Sequence, residues 1–167
     1  MAHNLLDFTG HHVFVAGGSS GINLGIAQGF ARAGAHVSLI SRSADKLEEA
    51  VASLQELGAQ ALAISADVRD PAAVETALQQ AHGQFGPIDV LISGAAGNFI
   101  APASALSPNG FRTVVDIDLN GSFNVLRLAH PLLRKPGASV INISAPQGSN
   151  PTAYQVHACA AKAGIDM

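Results

Sequence analysis

The feature that most constrains this chain is an alternation: five short apolar runs, with longer segments of helical period between them. The runs are HVFVAG (12–17), HVSLIS (36–41), ALAIS (61–65), IDVLIS (88–93) and SVINIS (139–144). Each is rich in Val, Ile, Leu or Ala and has the length of a buried strand. The intervening segments GIAQGFARAG, ADKLEEAVASLQELG, PAAVETALQQAHGQFG and PNGFRTVVDIDLNGSFNVLRLAHPLL read as helices. Strands that are apolar throughout are buried on both faces, and strand–helix–strand units cross over right-handedly. The expected fold is therefore α/β, a doubly wound parallel sheet whose ligand crevice lies beyond the carboxyl ends of the strands.

Helix boundaries have local causes. Asp70 before Pro71 and Ser107 before Pro108 each place an N-cap ahead of a proline at the first helical position, and Gly34 and Gly58 stand where helices stop. No linker or repeat interrupts the order, so residues 1–167 are read as one dinucleotide-binding domain. The sequence reaches Met167 inside the last helix, before a sixth strand, and the expectation is that the C-terminal part of such a domain is missing.

Composition removes several classes of function. A formal net charge of -3, with nine basic residues scattered along the chain, gives no footprint for nucleic acid or an anionic membrane surface. No apolar run approaches the roughly 18 residues that span a bilayer. One cysteine, Cys159, cannot form an internal disulfide, and MAHNLLDFTGHH lacks the basic start and apolar run of a secretory leader. A cytoplasmic setting is expected. No metal-ligand set is singled out.

VAGGSSGINLGIA (15–27) follows the first strand and opens the first helix, the context that gives a glycine pattern meaning. Gly17 permits the tight turn, and Gly21 lets the backbone approach a pyrophosphate held by the helix-start N–H groups. Gly18, Ser19, Ser20 and Ile22 complete the expected cofactor loop. At the end of the second strand, ISRSADK has no acidic residue to hold a ribose 2′-hydroxyl and places Arg42 there instead. A guanidinium pairs with a 2′-phosphate, so NADPH is favoured over NADH, with help from Ser43 and Lys46.

The glycine stretch resembles the signature of the short-chain dehydrogenases/reductases, a Rossmann-type family, with Asn23 in place of the last glycine. Asn23 is expected to cap the helix or bond the loop. The segment LISGAAGNFIAPASALSPNGF (91–111) resembles a narrower group, the 2,4-dienoyl-CoA reductases. The family resemblance implies adenine contacts at Asp67 and Val68 and further cofactor contacts at Gly94 and Ala95. For an acyl-CoA substrate it implies Asn98 and Phe99 at the thioester region, Ser107 beside it and Arg69 on the CoA moiety. Ser93 and Gly94 stand where many members carry asparagines, which weakens a strand-linking hydrogen bond.

The catalytic positions depart from the ordinary family pattern. Matched on DIDLNGSF, NISAPQG and QVHACAAK, Asp118 stands for the family asparagine, Ala145 for the serine and Ala158 for the tyrosine, while Lys162 is kept. The peroxisomal type of 2,4-dienoyl-CoA reductase is similar at each of these points. Tyr154, the one tyrosine, lies eight residues before Lys162, which on a continuous helix is about 12 Å of rise and about 80° off its face. The resemblance implies catalytic roles for Asp118, through a held water, and for Lys162, on the cofactor ribose. His157 reads as a structural histidine on its helix. Two other functions stay open from sequence: a 3-oxoacyl or carbonyl reductase using Tyr154, and a non-catalytic nucleotide-binding pseudoenzyme. The apolar residues of the long fourth helix, among them Phe111, Val114, Phe123 and Val125, predict a homodimer or homotetramer.

Overall fold

The computed structural model describes residues 6–167; the leader-free reading of the N-terminus falls partly on residues 1–5, outside the described residues. Its strands are β1 (His12–Ala16), β2 (His36–Ser41), β3 (Ala61–Ser65), β4 (Val90–Ser93) and β5 (Ser139–Asn142). They form one parallel sheet in the order β3-β2-β1-β4-β5. The helices are α1 (Gly21–Arg32), α2 (Ala44–Glu56), α3 (Pro71–Phe85), α4 (Pro108–Val115), α5 (Gly121–Ala129) and α6 (Val156–Asp166).

Alternation along each strand divides the core between the two sheet faces. Phe14 and Ala16 of β1 join Ile40, Leu91, Val74, Leu78 and Val125 on the face covered by α3 and α5. Val13 and Val15 join Val37, Leu39, Ile92, Ala27 and Leu47 on the face covered by α1 and α2. All of these are buried. Ser38 is a buried polar residue with a partner. The buried His12 ring donates from Nδ1 to the Gly86 carbonyl (2.9 Å), so that in the neutral ring Nε2 accepts from the Ser38 hydroxyl (2.9 Å). Burial pushes the His12 imidazole below its ordinary value.

The strand order reverses between β1 and β4, which makes the space above their carboxyl ends the topological switch point. Two helices start with the side-chain caps expected of them, Asp70 accepting from Ala72 N and Ala73 N and Ser107 from Gly110 N, and α2 has a third in Ser43, which accepts from Lys46 N. Gly34 and Gly58 follow α1 and α2 at φ of 91° and 86°.

The long fourth helix differs from the single continuous helix expected from its period. Between α4 and α5 the chain forms a π-helical turn at Asp116–Asn120, and a 3₁₀ turn at His130–Leu132 follows α5. Ile117 and Asp118, both buried, lie in this widened turn. Of the apolar residues expected at a subunit contact, Val114 and Val125 are spent in the core, whereas Phe111 and Phe123 are 38% and 60% exposed.

Candidate active site

The switch point opens into a cleft of about 390 Å³. Its floor is backbone. Gly17 turns the chain at φ 80°, and an added Cβ there would lie 2.8 Å from Ala95 Cα. Gly18 is packed on Leu39, and its N–H, like that of Gly17, reaches the Ile40 carbonyl (3.2 and 2.8 Å). The Ser19 hydroxyl bonds that of Ser41 at 2.8 Å. Ser20 occupies the N-cap position of α1 in an extended conformation, yet no side chain caps that helix. Gly21, its first residue, has φ 60° and open space where a Cβ would stand. The start of α1 thus has N–H donors that the protein does not satisfy with a side chain, in contrast to α2, α3 and α4. That arrangement fits the pyrophosphate of a dinucleotide, since donors and helix dipole act on the same negative charge.

The walls agree with most of the expected cofactor residues. Gly17, Ser19, Ser20, Arg42, Asp67, Val68, Gly94 and Ala95 all line the cleft, as do Ser43 and Lys46. Ile22 does not: it is 75% exposed on the outer side of α1. Gly18 is buried and does not line the cleft. Asn23 bonds the loop and does not cap the helix, its Nδ2 donating to the Gly94 carbonyl at 2.7 Å and the Gly17 carbonyl at 3.3 Å. Arg69 is committed to Asp67 through Nε (3.0 Å to Oδ1) and Nη2 (2.5 Å to Oδ2). The hydrogen bond from Arg69 holds the Asp67 carboxyl below its ordinary range. The expected adenine and CoA contacts are therefore one ion pair at the cleft rim.

A second pocket, of about 190 Å³, adjoins the first through Ala96 and is lined also by Gly97, Asn98, Asp118, Ala145, Gln147, Ala158 and Lys162. Asp118 reaches it from the π-turn and is 1% exposed. Its Oδ1 accepts from Gly97 N at 2.7 Å, and its Oδ2 pairs with Lys162 Nζ at 3.2 Å. The same ammonium donates to the Ile143 carbonyl at 3.3 Å. One carboxylate thus joins the loop after β4 to α6, and the buried charges compensate each other. Ala145 and Ala158 line the same pocket, at the positions where the family pattern has hydroxyls.

The loop 97–101 is fastened to the segment that leads into α6. Asn98 Nδ2 donates to Gln155 Oε1 (2.5 Å) while its Oδ1 accepts from Phe99 N (2.8 Å). Ala101 N donates to the Tyr154 carbonyl at 3.0 Å. His157, fully buried, contacts the Phe99 carbonyl through Nε2 at 3.0 Å and packs its ring 4.5 Å from that of Phe99. Gln147, Gln155 and His157 were not legible as site residues; the one sequence signal was their clustering near Lys162. Tyr154 precedes α6, so the continuous helix assumed for it does not exist; it has φ 63°, is 59% exposed and does not line the second pocket. Ser107 serves as the cap of α4 and lines neither pocket.

Comparison with known proteins agrees with this geometry. Residues 11–167 match the family model described as short chain dehydrogenase. The peroxisomal 2,4-dienoyl-CoA reductase [(3E)-enoyl-CoA-producing] of Rattus norvegicus is 47% identical over 155 residues, covering 92% of this chain and 53% of that protein. Its Arabidopsis thaliana counterpart is 40% identical, over 94% of this chain and 56% of the relative. A probable 2,4-dienoyl-CoA reductase [(2E)-enoyl-CoA-producing] of Bacillus subtilis is 37% identical, over 92% and 61%. The chain spans about half the length of the curated relatives it matches. Among solved structures, a putative short-chain alcohol dehydrogenase from Sinorhizobium meliloti superposes with a TM-score of 0.91 at 28% identity, covering 96% of this chain and 64% of that one. Levodione reductase gives 0.90 at 31% identity, over 95% and 63%. With a switch-point cleft, a glycine turn and a family model that matches residues 11–167, the chain belongs to the short-chain dehydrogenase family.

Proposed function

We propose that the protein is an NADPH-dependent reductase of 2,4-dienoyl-CoA thioesters that yields the 3-enoyl product. The observation that carries this reading is the buried Asp118–Lys162 pair in a pocket whose lining has alanines at 145 and 158 and no hydroxyl side chain. Reduction of a ketone puts charge on an oxygen at the carbon that receives hydride, and an acid must stand beside it. Reduction of a conjugated dienoyl thioester spreads that charge to the distant thioester oxygen, so a tyrosine at the hydride-accepting carbon is not needed.

When bound, the nicotinamide supplies hydride to the δ carbon of the diene. Asp118 then holds the water that protonates the α carbon, the hydroxide left behind taking a proton from solvent, and Lys162, paired with the carboxylate, orients it and reaches toward the cofactor ribose. Asn98 has one Nδ2 hydrogen left after its bond to Gln155, a donor for the thioester oxygen. Phe99, held by His157 and 42% exposed, flanks the diene. Arg42 and Lys46 take the 2′-phosphate, and the absence of a carboxylate at the end of β2 supports NADPH over NADH.

The reading extends to a homo-oligomer with Phe111 and Phe123 in its contact, tested by light scattering, and to a cytoplasmic setting, tested by fractionation. Tyr154 lies outside the pocket, which disfavours the carbonyl reductase alternative. Relatives named for opposite product isomers make product analysis the decisive test. With 2,4-hexadienoyl-CoA in deuterated water, the product should be a 3-enoyl thioester with one deuterium at the α carbon. A 2-enoyl product, or turnover confined to acetoacetyl-CoA, would overturn the assignment; NADPH binding with no turnover of either would favour a pseudoenzyme.

A further inference from the structure

We infer that Asn23 and Gly94 are a coupled pair that sets the width of the cofactor cleft: one amide side chain fills the space between the β1–α1 turn and the end of β4, and it is attached at residue 23. The amide donates to a carbonyl on each side, Gly17 on the turn and Gly94 on the strand end, and both of those residues line the cleft. The assignment of the amide follows from its partners, since both are acceptors and must face the nitrogen. On the far side, a Cβ added to Gly94 would lie 2.7 Å from Asn23 Cγ, closer than real Cβ contacts come, and Gly94 has no positive φ to explain its being glycine.

The two backbones already touch at this point, with Gly17 against Ala95. Asn23 therefore joins the segment that would hold the pyrophosphate to the segment that lies opposite it. Its Oδ1 is buried without a partner, a cost the protein carries where a glycine at position 23 would remove it. That cost is consistent with the donor end being the part that is used. The role is positional: Asn23 holds the cleft walls in register, and the residue at 94 must stay small while it does so.

This rests on the cleft being the cofactor site, and not on the dienoyl substrate. The test is a double-mutant cycle in the full-length protein, with Asn23→Gly, Gly94→Ala and the double variant, read by thermal unfolding without cofactor and by NADPH fluorescence titration at a temperature where all are folded. Gly94→Ala alone should lower Tm by roughly 5 °C and weaken NADPH binding about tenfold, from overpacking beside a buried amide. Asn23→Gly alone should weaken NADPH about tenfold by freeing the two carbonyls. In the double variant the alanine should be tolerated, with Tm and affinity no worse than those of Asn23→Gly. Additive losses in both readouts would overturn the pair. Coupling in Tm without coupling in NADPH affinity would overturn its role in the cleft. A wild-type protein that binds no dinucleotide would overturn the cofactor assignment itself, and the Tm cycle would then decide the packing pair separately.

Discussion

The two pockets are built differently. The cofactor cleft is mostly backbone: a left-handed glycine, a helix start without a side-chain cap and two loops in contact at Gly17 and Ala95. The second pocket is mostly side chain, with Asp118, Lys162, Asn98 and Gln147 drawn from separate elements around two alanines. A backbone site follows from local rules about where glycine is required, and it can persist while side chains change. A side-chain site depends on which elements meet, so single substitutions can alter its chemistry without touching the fold. The difference predicts that changes in the cleft act on affinity, and changes in the second pocket act on turnover and stability.

The largest expected effect breaks the second pocket. Lys162→Met leaves Asp118 as a buried carboxylate without its cation, which costs about 3–5 kcal/mol and should appear as a fall in Tm of roughly 10 °C. The double variant with Asp118→Asn should recover part of that loss. A Tm close to wild type for Lys162→Met would mean that the pair is not the electrostatic unit its 3.2 Å separation indicates.

Next in size is Arg42→Ala, which should weaken NADPH by roughly 10- to 100-fold, the worth of one or two charge-assisted hydrogen bonds, and leave NADH nearly unchanged. Isothermal titration with both cofactors checks this. Equal loss for the two would show that Arg42 shapes the cleft and does not read the 2′-phosphate. His157→Phe keeps the ring contact with Phe99 but removes the bond to its carbonyl. It should raise KM for the acyl substrate by about threefold to tenfold with kcat less affected, as expected when one hydrogen bond positioning a loop is lost.

The smallest effect concerns pH and lies far from both pockets. The unfolded chain takes up a proton at His12 as pH falls through the ordinary value of 6.5, while burial keeps the folded ring neutral to lower pH. The His12 contribution is therefore constant above that window and turns against folding below it. Thermal unfolding should show Tm lower near about pH 5.5 than near about pH 7.5, with the difference narrowed in His12→Gln. A second loss should follow in stronger acid at Asp89. Burial alone would raise its pKa, but the bonds from Arg134 and from His12 N outweigh it and hold the carboxyl below the ordinary 3.8.

How much of this was legible in the sequence follows the same division. The strands at 36–41 and 61–65 coincide with the apolar runs. β2 is buried along its middle four residues, whereas β3, at the sheet edge, is only partly buried, so the expectation of burial on both faces holds for the inner strand and not for the edge. Gly17 and Arg42, read from a turn and a strand end, and Asp67, implied by the family resemblance, all line the cleft. The π-turn that carries the buried Asp118 was not found, since the residue types along this stretch keep the period of a helix. Ile22 was expected at the cofactor because it stands within the glycine stretch, but the helix turns its side chain outward. Ser107 was recognised both as a cap and as a substrate residue, and the structure uses it as the cap. Tyr154 was judged on a helix that begins two residues later, at Val156. Each of these depends on local geometry that hydrophobic period does not encode.

The central claim is that a buried carboxylate and lysine, without a tyrosine, carry out dienoyl reduction. Its most direct test is steady-state NADPH oxidation by wild type and Asp118→Asn with 2,4-hexadienoyl-CoA, beside titration of NADPH into both. The account predicts a loss in kcat of roughly 10²- to 10⁴-fold for the variant, the range for removing a group that manages proton transfer, with NADPH affinity changed by less than about threefold. A variant that keeps its turnover, or one that loses NADPH binding in the same proportion as activity, would contradict it.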